Sequence, residues 1–344
     1  MLAANFLAAA IAQGRIVERA VPGDPALGPL TQLPGTWTNL PDFPGHGWNM
    51  IALPYKEPGK TVNPNTPDQN SVFRLLLNQF NETLIFSTVD KGVQNRGAAQ
   101  VNVFDRDQHL AALQYIQNVA QIAAADFPVT PNRPDTPKGA ATIHHEPGLF
   151  LHLFSGTDGG PDIARLATIP HGDAALALGT GTTKAGPPTF TEIGDFQALP
   201  VGVGIGLDVN TDPYLLPYKT FTGANKFQGL FDPTNPLDLL KGAIAGKNIK
   251  TTTSIVLDTT LATGGIHNIP FVVKQANATS MRAIFWIEEL ADPGPDGKPQ
   301  FMLQYAQRVY LDFFSTSLPP EDALNCKIRW PHISINTMTL TARP

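Results

Sequence analysis

Hydrophobic and polar residues alternate along much of this chain with a period of two, which is typical of half-buried β-strands. The pattern predicts strands in both halves of the sequence, at 48–55, 71–77, 83–89, 142–154, 252–257, 269–274, 282–290, 301–314 and 328–341. We expect 71–77 and 83–89 to form a hairpin with its turn at 78–82. Another turn is expected at 169–173, between two strands within 164–178. Residues 108–124 also fit helical spacing, but their similarity to 301–314 favours a strand.

One segment of the second half carries the signals of an α-helix. Asn235 can cap its start, Pro236 suits the first helical position, and Gly246 can end it. Apolar residues recur between them at helical spacing, at Leu237, Leu240 and Ile244. A second, Ala-rich apolar stretch at 1–13 predicts a short packed helix. That stretch is too short to span a bilayer.

Two short stretches almost repeat each other. Residues 113–119 read LQYIQNV and residues 303–309 read LQYAQRV, so five of the seven positions are identical. Similar neighbours occur in the same order around both copies, such as Phe86 before the first and Phe285 before the second. Ordered matches of this kind indicate an internal duplication.

We therefore expect two related β-barrel-like lobes. The first covers 1–205 with the N-terminal helix, and the second covers 206–344 with an inserted helix near 235–246. A chain of 344 residues is long enough for two domains of ordinary size. Its 42% hydrophobic and 15% charged residues suit a globular protein with much buried surface.

The charge of the chain argues against nucleic acid as a partner. The net charge is −5, and the sequence has neither a basic run nor zinc-finger spacing. We expect a soluble protein without a membrane span. No Lys or Arg precedes Arg15, so the apolar start lacks the charged flank of a signal peptide. The prediction is a cytoplasmic location, with secretion left open.

The repeated stretch supplies the first candidate site residues. Alternation places Tyr305 and Gln307 on one face of a strand with three apolar residues, Leu303, Val309 and Leu311. Tyr115 and Gln117 occupy the same places in the first copy. A buried amide must be paired, so each Gln either binds backbone at a strand crossing or orients a ligand in a cavity. The sequence leaves both readings open.

Histidines supply the second set of candidates. His144 and His152 share one face of 142–154, but eight residues of extended strand separate them by about 26 Å, too far for a shared metal ion. His145 lies on the other face and could pair with Glu146 as acid and base only if a bulge turned both inward. The sequence contains no nucleophile elbow, Walker loop, HExxH motif or cysteine pair, so no metal site is predicted.

Gly35-Thr36-Trp37, at the start of the first extended region, resembles the opening of the calycin barrels. These include the lipocalins, the fatty-acid-binding proteins and the haem-binding nitrobindins. The resemblance covers the first lobe and implies that Trp37 caps a closed barrel end beneath an Arg, for which Arg308 is the candidate. It also implies a haem-ligating His on a late strand. His332 is the first choice of axial ligand and His145, its counterpart in the first copy, is the second.

These observations predict a mainly β protein with an antiparallel, calycin-like barrel architecture. Its expected function is to bind a hydrophobic small molecule, with haem as one possibility, inside the barrel. The alternative is an enzyme on the same scaffold, either cofactor-free or haem-dependent: an isomerase, hydratase, cyclase or peroxidase-like protein. A third reading is a self-associating protein with a filled interior. The sequence specifies neither the ligand nor the oligomeric state.

Overall fold

The computed structural model describes residues 20–40, 46–54, 73–95, 108–128, 141–153, 160–202, 205–206, 208–315 and 327–343. Twelve strands form one antiparallel sheet. They are β1 (Gly35–Asn39), β2 (Gly47–Pro54), β3 (Phe73–Asn95), β4 (Gln108–Phe127), β5 (Ala141–Leu153), β6 (Ile163–Ile169), β7 (Asp173–Ala185), β8 (Ile249–Asp258), β9 (Gly265–Asn268), β10 (Asn277–Leu290), β11 (Phe301–Ser315) and β12 (Lys327–Ala342). Two short helices accompany them, α1 (Leu237–Ile244) and α2 (Pro270–Gln275).

The sheet closes on itself. Its order is β1-β12-β11-β10-β8-β7-β6-β5-β4-β3-β2, with β9 beside β7. Strands β1 and β2 each pair with both β3 and β12, so together they fill the place that joins the two edges. The result is a closed antiparallel barrel with ten strand places, as the alternation predicts. Strands from both halves of the sequence contribute to this one barrel, and the division into lobes at residue 205 stays a prediction.

Two predicted elements are wrong. Residues 78–82 form no turn, because β3 runs through them without a break. Neighbouring strands pair with this stretch instead: the Asn78 side chain accepts from Gln121 and donates to Asn49. Residues 269–274 are not a strand, because the chain turns into α2 after Ile269, with Pro270 in the first turn, where its missing N–H costs nothing.

Other expectations are confirmed. The ambiguous stretch 108–124 lies within strand β4. The predicted helix is α1, with Gly246 at a φ of 75° after its end, but its N-cap is Pro236 and no side chain caps its start, so the cap predicted at Asn235 is wrong. A tight turn joins β6 to β7, where Gly172 donates to the carbonyl of Ile169. The predicted helix at 1–13 lies outside the described residues.

The segment between β7 and β8 covers the outer wall of the barrel. Phe227 and Phe231 pack against Trp48, with ring centroids 5.8 and 6.0 Å away. The amide of Gln304, on the outer face of β11, donates to the carbonyl of Leu240 in α1 at 2.9 Å. Residues on both faces of this part of the wall are therefore buried, and the core has one layer inside the barrel and one outside it.

Residues 20–33, the described part of the N-terminal segment, close one end of the barrel. Its short 3₁₀ helix, Pro25–Leu30, contacts β3, β4, β5 and β7 and buries Leu27 and Leu30 completely. The ring of His152 bonds the carbonyl of Ala26 at 2.7 Å. The opposite end of the barrel is the one at which β5 and β12 begin.

Candidate functional site

Contacts between strands that are not neighbours identify the inner face. Arg165 on β6 reaches Gln307 on β11, and Phe150 on β5 meets the ring of Phe285 on β10. Neither pair of strands is adjacent in the sheet, so these side chains meet across the interior. Because side chains alternate along a strand, every second residue of these strands faces the same space.

Arg165 is the centre of one buried network. Its guanidinium donates to Glu146 at 2.7 Å, to the Gln307 side-chain oxygen at 2.7 Å and to the Tyr115 hydroxyl at 3.1 Å. The Tyr115 hydroxyl in turn donates to Glu146. Arg165 and Glu146 are only 3% and 2% exposed, so water does little to screen this ion pair. Such a pair is retained only where hydrogen bonds satisfy both partners, as they do here.

Glu82 is the centre of a second network. One of its carboxyl oxygens accepts from the Tyr305 hydroxyl at 2.6 Å and from Asn336 at 2.8 Å. The other accepts from the amide of Gln117 at 2.8 Å. These partners come from strands β3, β4, β11 and β12, so the network spans the place where the barrel closes.

The two carboxyl groups differ in their proton affinity. Burial alone disfavours the charged form, but Arg165 opposes this effect at Glu146 and lowers its pKa to about 2. Glu82 has no cation within hydrogen-bonding distance, and burial raises its pKa above the ordinary value despite the hydrogen bonds that it accepts. Burial also raises the pKa values of Tyr115 and Tyr305. Only Glu146 is therefore firmly ionised.

Aromatic rings fill the space beneath these networks. The Arg165 guanidinium lies 5.3 to 5.8 Å from the ring centroids of Tyr115, Phe150 and Phe285. Phe150 also meets Phe86 at 5.7 Å and Tyr115 at 5.4 Å. The two networks together form a polar layer. Cation–π attraction and ring packing hold this layer against the aromatic rings, which form an apolar floor. This part of the interior is occupied by side chains.

Three histidines lie above the polar layer, toward the end opposite the N-terminal segment. His144 lies near the start of β5, His171 lies in the turn between β6 and β7, and His332 lies near the start of β12. The rings of His144 and His171 are 5.7 Å apart. Burial together with the two neighbouring histidines lowers the pKa of His332 well below its ordinary value. Its imidazole is therefore neutral at physiological pH.

The structure brings most of the predicted site residues together. Tyr115, Gln117, Tyr305 and Gln307 all face the interior and belong to the two networks. Each Gln pairs with side chains inside the barrel, so neither binds backbone at a strand crossing. His332 shares the inner face with Val309, its cross-strand partner.

His145, Trp37 and Arg308 have other positions. His145 is exposed on the outer face and bonds Asn118 at 2.6 Å, because alternation turns it away from His144. Trp37 is fully buried and donates to the Leu33 carbonyl at 2.8 Å. Arg308 lies on the outer face, 4.7 Å from the ring centroid of Tyr310, and therefore does not cover Trp37.

Sequence reasoning did not select Glu82, Arg165 or Asn336, and it paired Glu146 with His145 rather than with His144 and Arg165. Alternation contained a signal for Glu146, because it shares a face with His144 and Phe150. A second signal was the isolated Arg165 on the same face as Ile163 and Ala167. Glu82 was assigned to a turn.

Two kinds of feature are absent from the described part of the chain. It contains no group of three or more His, Cys, Asp or Glu side chains placed to hold a metal ion. None of its helices combines the length and the apolar character needed to cross a bilayer.

Comparisons with known proteins give little. No family model and no curated protein matches this chain. Among solved structures, one titled "Crystal Structure of Rv2717c from M. tuberculosis" matches over 92% of this chain and 98% of that chain, at 13% identity and a TM-score of 0.38. A likeness this distant carries no argument about function, so the case for a function comes from the site itself.

Proposed function

We propose that the protein binds an apolar small molecule carrying a polar group, in the end of the barrel that the histidines line. The observation that carries this proposal is that three polar side chains on the inner face are less buried than the polar layer beside them. Tyr115 and Arg165 in that layer are 1% and 3% exposed, whereas Gln117, Gln307 and His332 are only half-buried. Inward-facing side chains that water still reaches border space that is not filled by protein.

The lining of this space suits such a ligand. Val119 lies opposite His144 and Val309 lies opposite His332 in the strand pairing, so each imidazole has an apolar neighbour on the inner face. Ligand sites typically combine an apolar wall with a few polar groups that fix orientation. Here the amides of Gln117 and Gln307 and the imidazoles would provide that orientation.

Haem is the second candidate, and one observation favours it. The neutral ring of His332 has no hydrogen-bond partner among the described residues, and a neutral imidazole nitrogen is what axial ligation requires. His332 would hold the iron, and bound haem would supply redox and small-gas chemistry there. The filled floor confines a porphyrin to the histidine-lined end. The second predicted ligand, His145, faces outward and is not part of this proposal.

The internal duplication and the calycin-like origin belong to the same proposal. Tyr115 pairs with Phe86 across one strand pair and Tyr305 pairs with Phe285 across another, as the repeated sequence predicts. By the same register the counterpart of His332 is His144 rather than His145. A barrel closed at one end beside Trp37 supports the calycin-like origin.

A matched pair of variants tests the binding proposal. Val309→Trp places a large ring in the space beside His332, whereas Val273→Trp adds the same ring on α2, where Val273 is 49% exposed. We expect wild-type protein and V273W to bind the apolar fluorophore N-phenylnaphthylamine equally, and V309W to bind it at least about tenfold more weakly. Equal binding by V309W would place the probe elsewhere.

Two further measurements separate haem from other ligands and from a filled barrel. Native mass spectrometry with an absorption spectrum shows what accompanies the purified protein. Added haem should give a Soret band that His332→Ala abolishes if His332 is the ligand. Without such a band, haem is discarded and the apolar ligand remains. If no apolar probe binds either, the barrel is a filled, structural one.

A further inference from the structure

His144 and Glu146 form a pair that simple ligand binding does not require. They lie two residues apart on β5, so alternation turns both into the barrel without a bulge. The His144 Nε2 atom is 3.1 Å from a carboxyl oxygen of Glu146. The other carboxyl oxygen accepts from Arg165 at 2.7 Å and from Tyr115. The carboxyl group is therefore fixed in orientation, and it fixes the ring of His144.

This arrangement also determines which nitrogen of His144 carries the proton. Arg165 keeps Glu146 ionised, and an ionised carboxylate can only accept hydrogen bonds. In the neutral ring, Nε2 must therefore carry the hydrogen, which leaves the lone pair on Nδ1. Among the described residues Nδ1 has no hydrogen-bond partner, and the His144 side chain is 22% exposed. A carboxylate that orients an imidazole and leaves its second nitrogen free is the arrangement of a general base.

A hydrogen-bond donor faces the same interior as this base. His332 is the positional counterpart of His144 in the proposed repeat, and both lie on the inner face toward the same end of the barrel. Because the ring of His332 is neutral, it carries one N–H, which no described residue accepts. An N–H of this kind can donate to an oxygen atom on which negative charge develops.

We propose that His144, oriented by Glu146, is a general base that removes a proton from an apolar carbon acid bound in the barrel, while His332 donates to the oxygen that gains charge. Glu146 acts through His144 and is a positioning residue. This inference rests on the proposed function, because the substrate must enter the same space. It extends that function from binding to catalysis and needs no external oxidant or reductant.

Nitrobenzisoxazole is a suitable probe, since it is small and apolar and reacts with a base in one step. Nδ1 of His144 takes the proton from the ring carbon, the C–H electron pair forms the C≡N bond, and the N–O bond breaks. Its electrons remain on oxygen as a coloured cyano-nitrophenolate. Proton transfer by a positioned side chain contributes roughly 10² to 10⁴ in rate.

The experiment compares three variants with wild-type protein. His144→Gln removes the base, Glu146→Gln removes the group that orients it, and His145→Gln changes the exposed neighbour on the opposite face. We expect H144Q to lower kcat/KM at least about tenfold and H145Q to leave it unchanged. E146Q should lower kcat and leave KM nearly unchanged, which a general loss of structure would not do. Thermal unfolding confirms that H144Q is folded, and the inference stands without E146Q if that variant is not.

The outcomes separate this inference from the binding proposal. Turnover by wild-type protein that H144Q retains, or no turnover above buffer, overturns the general base. If N-phenylnaphthylamine still binds in that case, the proposed function survives alone. If wild-type protein binds neither probe, both proposals fail.

Discussion

Arg165 provides the sharpest test of the buried site, because its charge is almost wholly enclosed. It is 3% exposed and donates to Glu146, Gln307 and Tyr115 at 2.7 to 3.1 Å. Methionine has a flexible apolar side chain of comparable length, so Arg165→Met removes the charge and the donors while filling much of the same space. Glu146 would then be a buried carboxylate with no cation within hydrogen-bonding distance except His144.

Removing one partner of a buried ion pair costs about 3 to 5 kcal/mol, since the remaining charge is left uncompensated. We expect R165M to lower the free energy of unfolding by this amount, measured by urea denaturation with linear extrapolation. Arg308→Met is the matched control. Arg308 lies on the outer face, over the ring of Tyr310, and donates to the Asp195 carbonyl, so its loss should cost only about 1 kcal/mol.

A double variant separates the lost charge balance from lost packing. Glu146→Gln, added to R165M, replaces the unpaired carboxylate with a neutral amide. The double variant should therefore be more stable than R165M alone, which is a non-additive result. A loss below about 1 kcal/mol in R165M, or further destabilisation by the second substitution, would refute the interpretation of this pair as a buried charged network.

The remaining predictions concern pH and packing. Glu146 has its pKa lowered from 4.5 to about 2, so its stabilising contribution is complete above pH 4.5 and is lost as the pH falls through about 2. Urea titrations across that range should show a decline of roughly 3 kcal/mol that E146Q lacks. Glu288 is the opposite case: it is fully buried, neither of its carboxyl oxygens has a hydrogen-bond partner among the described residues, and its pKa is raised from 4.5 to about 8. Ionising Glu288 costs more in the folded state than in the unfolded state, so the folded state loses stability as the pH rises from 4.5 to about 8. Glu288→Gln should therefore raise the free energy of unfolding at pH 9 by about 5 kcal/mol and change it little at pH 4; equal effects at both values would contradict this. Gly148 lies under the ring of Tyr115, and an added Cβ would be 2.2 Å from the Leu166 carbonyl oxygen. Gly148→Ala should cost about 1 to 3 kcal/mol, whereas Gly265→Ala, where nothing lies within 4 Å, should cost much less; thermal unfolding compares the two.

The inner face of the barrel was predictable because strand alternation is a local property. Tyr115 and Gln117, or Tyr305 and Gln307, face the same side whatever the rest of the chain does. The same rule explains why His144 rather than His145 faces inward. The two-residue period of a strand is therefore enough to assign each side chain to the inner or the outer face of the barrel.

The partners of these residues could not be predicted in the same way. Glu82 meets Tyr305, and Arg165 meets Gln307, only because the sheet closes and brings distant strands face to face. Nothing within a single strand specifies which residue lies across the interior. The turn predicted at 78–82 is wrong for a related reason. Polar residues in a row are typical of a turn, but here they pair with neighbouring strands.

The short helix α2 shows a conflict between two local signals. Ile269, Phe271 and Val273 alternate with other residues as a strand would, which favours a strand over 269–274. Pro270 removes one ladder hydrogen bond and suits the first turn of a helix. The helical signal prevailed, and the three apolar side chains are 49 to 68% exposed instead of buried in a sheet.

The most direct test of the account is a crystal structure of the protein soaked with a brominated naphthalene, located by the anomalous signal of bromine. We expect a bromine peak inside the barrel, within contact distance of His332, Val309 and the amide of Gln117. A peak only at the surface, for example against the exposed ring of Phe271, or no peak at a concentration that saturates the fluorescent probe, would contradict it.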